Sequence, residues 1–198
     1  MTPEIRRIVK VGGSLLTDPE LGARLQRWAY DQTTAQECWV AGGGAAVDII
    51  REIDSTHQLD AEISYQMTLD MLDRTCQVLR ESLRGTHGAL ELIEDLNGWK
   101  QSPVTAGRFI VNWHQATSCF PDPWHSMYRL ATWEATSDSM AALLARWLNA
   151  TELVILKACP ISEHQSQQNS VLAACGIVDS VFPEACVEIE SVRVIQLP

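Results

Sequence analysis

The chain has 198 residues, 46% of them hydrophobic, a formal net charge of −10 and a pI near 4.9. That is enough chain for one domain with its own core and no disulfide staples. The acidic balance excludes nucleic acid as the main partner, because phosphate backbones recruit dense Lys and Arg patches. No apolar run approaches the roughly 18 residues needed to cross a bilayer, and the N-terminus lacks the apolar core of a secretory signal. Cys38, Cys76, Cys119, Cys159, Cys175 and Cys186 form no CxxC pair and no Cys/His zinc spacing. Mostly buried thiols in a cytoplasmic, reducing setting are therefore expected.

Residues 5–11 (IRRIVKV) are short, β-branched and followed by Gly12, Gly13 and Ser14, the pattern of a strand entering a tight turn. Asp18 and Pro19 then offer an N-cap and a first helical position for a helix through about Tyr30. The order repeats at once: residues 37–41 (ECWVA) read as a strand, Gly42, Gly43 and Gly44 as its exit, and 45–55 as a helix. Two such units in succession favour a parallel α/β sheet.

A longer helix is expected over 60–83, with Ile63, Met67, Met71 and Val78 at near-helical spacing as its apolar face toward the core or a dimer partner. Residues 89–93 and 107–112 are further candidate strands. The stretch 113–133, carrying Pro121, Pro123, His114, His125 and several tryptophans, reads as an irregular connection of unusual length. Residues 136–150 form the clearest amphipathic helix, with Ser137 or Asp138 as cap, leading directly into the β-rich "TELVILKAC". A polar stretch over 162–170, a short helix around 170–175 and a last strand at 192–197 complete a single domain without internal repeats.

Ligands of a parallel α/β sheet collect at the carboxyl ends of its strands, where both glycine turns fall. Glycine permits close backbone approach, so these turns can present amide donors to an anion, or can simply be turns. Neither matches the P-loop or the dinucleotide fingerprint. The chain has only three lysines, Lys10, Lys100 and Lys157. Lys10 sits inside a strand-like run, where its lost hydration demands a partner. Lys157 follows "LVIL" and either meets a phosphate or holds its head in water. Asp138 either caps a helix or orients a lysine or Mg²⁺.

"VKVGGSLL", then "VAGGGAAVDIIR", then "TWEATSDSMAALLARWLNATELVILK" resemble, in order and spacing, the successive motifs of the amino acid kinase family, which includes acetylglutamate, aspartate and uridylate kinases. The W-x-x-T-S-D-S segment and the small size most resemble the kinase type of methanofuran biosynthesis, which phosphorylates an aminomethylfuran phosphate. The resemblance implies a three-layer sandwich with an open, mainly parallel sheet between helices. It also implies an ATP- and Mg²⁺-dependent transfer of the γ-phosphoryl group to a phosphate or carboxylate of a small anionic metabolite, without a phosphoenzyme, and a homodimer.

In that frame Lys10 stabilises charge on the transferring group, with Lys157 as a second cation, and Asp138 organises the lysines. Gly12, Gly13 and Ser14 hold ATP phosphates. Gly42, Gly43, Gly44, Thr136, Ser137 and Arg51 lie toward the acceptor, a solvated helix face being the alternative for Arg51. Two departures stand out. Members of the family usually follow the strand at 151–157 with a D-V-D-G-[VI]-[YF] segment, where this chain reads "KACPISEHQSQQ" and no such segment is found, and no lysine follows Lys157. A non-catalytic small-molecule binding protein of the same fold is the alternative these departures leave open. A subunit completed by a partner docking on the tryptophan-rich stretch is a third, with core packing an equal explanation of those rings.

Overall fold

Two central strands, β1 (Arg6–Val11) and β2 (Gln36–Ala41), are buried at every position. Successive strand residues point to opposite faces, so both faces of the sheet must be covered. The computed structural model, which describes residues 5–162, 165 and 168–198, shows how. Six parallel strands run in the order β3-β4-β2-β1-β5-β6, with β3 at Glu91–Leu92, β4 at Gly107–Ile110, β5 at Glu152–Lys157 and β6 at Ser191–Gln196. Connections between parallel strands need crossovers, and helices supply them.

Among the described residues these are α1 (Leu21–Tyr30), α2 (Ala45–His57), α3 (Ala61–Ser82), α4 (Leu96–Gln101), α5 (Trp113–Ser118), α6 (Asp122–Met127), α7 (Ser137–Trp147), α8 (Asn169–Ala174) and α9 (Phe182–Ala185). Helix α3 packs on β2, and α7 packs on β1 and β5. The result is the expected α/β architecture of an open parallel sheet between helices. No described helix is long and apolar enough to cross a membrane.

The topology places one crevice. From β1 the chain steps to β2 on one side, and only after β4 does it return to β5 on the other. The carboxyl ends of β1 and β5 therefore flank the point where the winding direction reverses, which is where open α/β sheets bind ligands.

Several local expectations are corrected. The chain leaves β1 through the expected turn, a 3-10 segment at Gly13–Thr17, but α1 begins at Leu21 with Glu20 as its cap rather than at Asp18 and Pro19. Asp18 instead accepts a hydrogen bond from the Glu20 amide (2.8 Å) and pairs with Arg24, closing a local turn.

On α3 the buried stripe is Tyr65, Leu69, Leu72, Cys76 and Leu79, while Ile63 and Val78 are exposed. Both stripes have helical spacing, and only the packing against β2 and α2 chooses between them. The stretch 113–133 is not irregular, since it holds α5 and α6. Trp113, for which a docking surface and core packing are the two readings from sequence, is fully buried in the core and donates its indole N–H to Ala41 O (2.8 Å). Of the cysteines, Cys38, Cys76 and Cys186 are buried, Cys119 is half-buried, and Cys159 and Cys175 are exposed.

Candidate functional site

Lys10 lies on the central strand, opposite Ile155 of β5 and Val40 of β2. A lysine there has no route to bulk water except along the carboxyl edge, and its side chain takes that route. Its Nζ donates to Asp138 Oδ1 at 2.6 Å, and Lys157 Nζ donates to Asp138 Oδ2 at 2.6 Å. Side-chain exposure is 4% for Lys10, 5% for Asp138 and 14% for Lys157. One carboxylate thus holds two ammonium groups, and the cluster carries a net positive charge under cover from solvent.

Burial pushes the Lys10 ammonium below the ordinary lysine range, and the neighbouring Lys157 charge adds to this while Asp138 opposes it. Burial alone would raise the Asp138 carboxyl. The two ammonium groups outweigh it, and the group ends below the ordinary carboxylate range. Each ammonium has three donors and spends one on Asp138, leaving donors for an anion.

Thr136, not Ser137 or Asp138, caps α7: its hydroxyl accepts from the Asp138 amide at 3.3 Å. That choice frees the Asp138 carboxylate for the lysines. Both its oxygens are taken, so of the two partners foreseen for Asp138, lysine or Mg²⁺, the structure shows lysine. No group of three or more metal-ligating side chains occurs among the described residues.

Register brings the two glycine turns together, because Val11 lies opposite Ala41. They touch back to back: a Cβ on Gly13 would stand 1.9 Å from Gly44 N. Gly44 also has φ of +54°, a conformation that side chains disfavour. A Cβ on Gly42 would come within 2.9 Å of both Lys10 Nζ and Ser137 Oγ. Glycine at 42 is what lets the ammonium reach Asp138.

From these turns a cleft of about 470 Å³ extends between α2, α3 and residues 130–138. Lys10, Gly12, Gly13, Ser14, Gly43 and Gly44 line its inner end, together with Lys157, Thr136, Ser137 and Asp138. Gly42 lies just behind that wall. Arg51 lines the outer part with its side chain 43% exposed; it pairs with the exposed Asp48 (2.5 Å) and stacks over the Trp133 ring at 4.8 Å.

Sequence reasoning missed several features of this outer part. Trp133 donates to Asp54 (2.5 Å), which holds that carboxyl below its ordinary range. Tyr65 Oη and Ser64 Oγ are buried on the cleft wall and make no hydrogen bond of ordinary geometry among the described residues. His114 is drawn away to Asp73 on α3 (Nδ1 at 2.9 Å) and does not line the cleft. Asp179 was missed too; it lies in the connection between α8 and α9, yet binds Thr136 and Ser139 on either side of Asp138.

No protein-family model matches the chain, and no curated protein matches it. Solved structures do match in shape. Aspartate kinase from Synechocystis superimposes with a TM-score of 0.65 at 12% identity, over 96% of this chain and 37% of that one. UMP kinase from Bacillus anthracis gives 0.62 at 13% identity, over 98% of this chain and 88% of that one. Uridylate kinase from Archaeoglobus fulgidus gives 0.59 at 14%, over 96% and 90%. The chain has the fold of these kinases, as its sequence motifs implied.

Proposed function

We propose that the protein is an ATP- and Mg²⁺-dependent phosphotransferase that moves the γ-phosphoryl group to a phosphate or carboxylate of a small metabolite. The observation that carries this reading is the buried Lys10–Asp138–Lys157 cluster at the meeting point of two glycine turns. Phosphoryl transfer needs little covalent work from a protein; it needs positioned positive charge where negative charge spreads over the transferring oxygens. A net positive, desolvated and pre-oriented cluster is that device.

The residues fit a polyphosphate. Gly12, Gly13 and Ser14 offer backbone approach on the β1 side, and Gly43 and Gly44 line the cleft where the acceptor's oxygen would arrive. Lys10 and Lys157 hold their spare donors at the junction. The acceptor oxygen forms a new bond to the γ-phosphorus as the bond to the bridging oxygen breaks, and ADP takes the electron pair. With Asp138 occupied by lysines, Mg²⁺ fits best as a companion of the nucleotide phosphates, the usual arrangement for a cation that keeps most of its water.

Arg51, Trp133, Ser64 and Tyr65 line the part of the cleft that would grip the acceptor. The W-x-x-T-S-D-S resemblance points that acceptor toward the phosphorylated aminomethylfuran class of one-carbon cofactor synthesis. The sequence departures after Lys157 favour a second reading, a binding protein that keeps the anion site without turnover.

Calorimetric titration with Mg²⁺ and a non-hydrolysable ATP analogue, wild type against Lys10→Ala, tests the proposal. Binding that Lys10→Ala weakens, with transfer of labelled γ-phosphate to an acceptor, is expected. Absence of nucleotide binding at millimolar concentration would reject the kinase reading.

A further inference from the structure

Asp179 lies in the connection between α8 and α9, far in sequence from the lysine cluster, and its carboxylate accepts more hydrogen bonds than any other among the described residues. Oδ2 accepts from Thr136 N (3.0 Å), Thr136 Oγ (2.7 Å) and Ser139 N (3.1 Å). Oδ1 accepts from Ser139 Oγ and from the amides of Val181 and Phe182 (3.0 Å each). All six partners are donors and none is a cation.

The arrangement is specific in what it grips. Thr136 and Ser139 flank Asp138 within the first turn of α7. The Thr136 hydroxyl has one proton, which it gives to Asp179, so its lone pair must face the Asp138 amide, as the 3.3 Å contact shows. On its other side Asp179 binds the first amides of α9, tying that helix to α7. The turn that carries Asp138 is thus held from a separate part of the chain.

We propose that Asp179 is the positioning residue of the site: by clamping the first turn of α7 it fixes the Asp138 carboxylate between Lys10 and Lys157, and so sets the spacing of the two ammonium groups. The purpose of that spacing rests on the phosphotransfer reading; the clamp itself does not. The role requires an acceptor-only group. An asparagine amide, however it turned, would point N–H at two backbone amides, those of Thr136 and Ser139 or those of Val181 and Phe182.

The test reads the lysines directly, without substrate. The chain has three lysines, so protein labelled with 13Cε-lysine gives three signals, with that of Lys100 identified by Lys100→Arg. In Asp179→Asn the Lys10 and Lys157 signals should both move while that of Lys100 stays. Lys10 faces Asp138, Lys157 and the more distant Asp179 charge, so its titration midpoint should also fall when that charge is removed.

Affinity for tripolyphosphate with Mg²⁺ should drop roughly tenfold or more, as expected when a binding constellation is displaced. Unmoved Lys10 and Lys157 signals in folded Asp179→Asn would overturn the proposal. If that variant does not fold, Thr136→Val and Thr136→Ser decide. Movement in the first with retention in the second supports the clamp, and a Thr136→Val spectrum identical to the parent overturns it. A wild type that transfers no phosphate would reject the kinase reading and leave this lysine test standing.

Discussion

Strand β1 carries a buried cation at each end, and the two ends are built differently. At the amino end Arg7 pairs with Glu37 (2.8 Å) and Glu152 (2.5 Å) and also bonds Thr33. Glu37 is completed by Trp39 (2.9 Å) and Arg108 (3.2 Å), and Glu152 by Arg193 (2.7 Å). Each carboxylate oxygen has a partner, and the guanidinium is occupied from several sides. At the carboxyl end one carboxylate serves two ammonium groups that open onto a cleft. A saturated network is a structural element, because any ligand would have to break it. An unsaturated one of net charge waits for a counter-ion.

Lys10→Ala should strain this contrast most. Turnover should fall by about 10²–10³, the usual cost of losing one positioned electrostatic partner of a transition state, while thermal stability changes little, because Asp138 keeps Lys157. A melting temperature that drops with activity would make Lys10 structural and erase the distinction.

Glu37→Gln should do the reverse. It should cost about 3 kcal/mol in urea unfolding, at the low end for a broken buried pair because Glu152 still faces Arg7. Nucleotide affinity should be unchanged, and a loss of affinity would show that the two ends are coupled.

Acidity gives a subtler separation. Lys10 is depressed in the folded state, so between that value and the ordinary lysine range the unfolded chain binds more protons, and stability relative to Lys10→Met rises with pH. Anion affinity over the same interval falls as the ammonium loses its charge. Asp138 is also depressed, so its contribution is present above the ordinary carboxylate range and disappears as pH falls through its folded value. Parallel melting and titration series would check whether stability and affinity diverge on the alkaline side; if they fell together, the buried charge would be stabilising and the contrast lost.

The smallest effect is expected at Trp133→Phe, which keeps the ring under Arg51 and removes the bond to Asp54. Acceptor affinity should weaken by about 1 kcal/mol with nucleotide affinity intact. Equal losses of both would mean that the tryptophan supports the whole cleft.

Much of this site was legible because its parts are local. A lysine within an apolar strand, glycines at a strand's exit and an acidic residue opening an amphipathic helix are all read from neighbours in sequence. Asp179 was not legible in that way. The D-V-D-G-[VI]-[YF] pattern missing directly after β5 recurs in part at residues 177–182 (IVDSVF), where Val178, Asp179, Val181 and Phe182 keep its order. Displaced from the strand it normally follows, it gave no sign that Asp179 returns to α7. The outer cleft was equally hidden, since Asp54 and Trp133 come from separate elements and meet only through packing.

By itself the sequence determined the alternation of strands and helices, hence the parallel sheet, and the supply of charge at the strands' carboxyl ends, because both follow from periodicity and from residues a few positions apart. The tertiary structure alone decided which face of α3 is buried, that Thr136 rather than Asp138 caps α7, and that Asp179 binds the residues on either side of Asp138. Those outcomes depend on which of several locally equivalent arrangements satisfies the most buried polar and apolar groups at once, and that choice is made only when distant segments pack together.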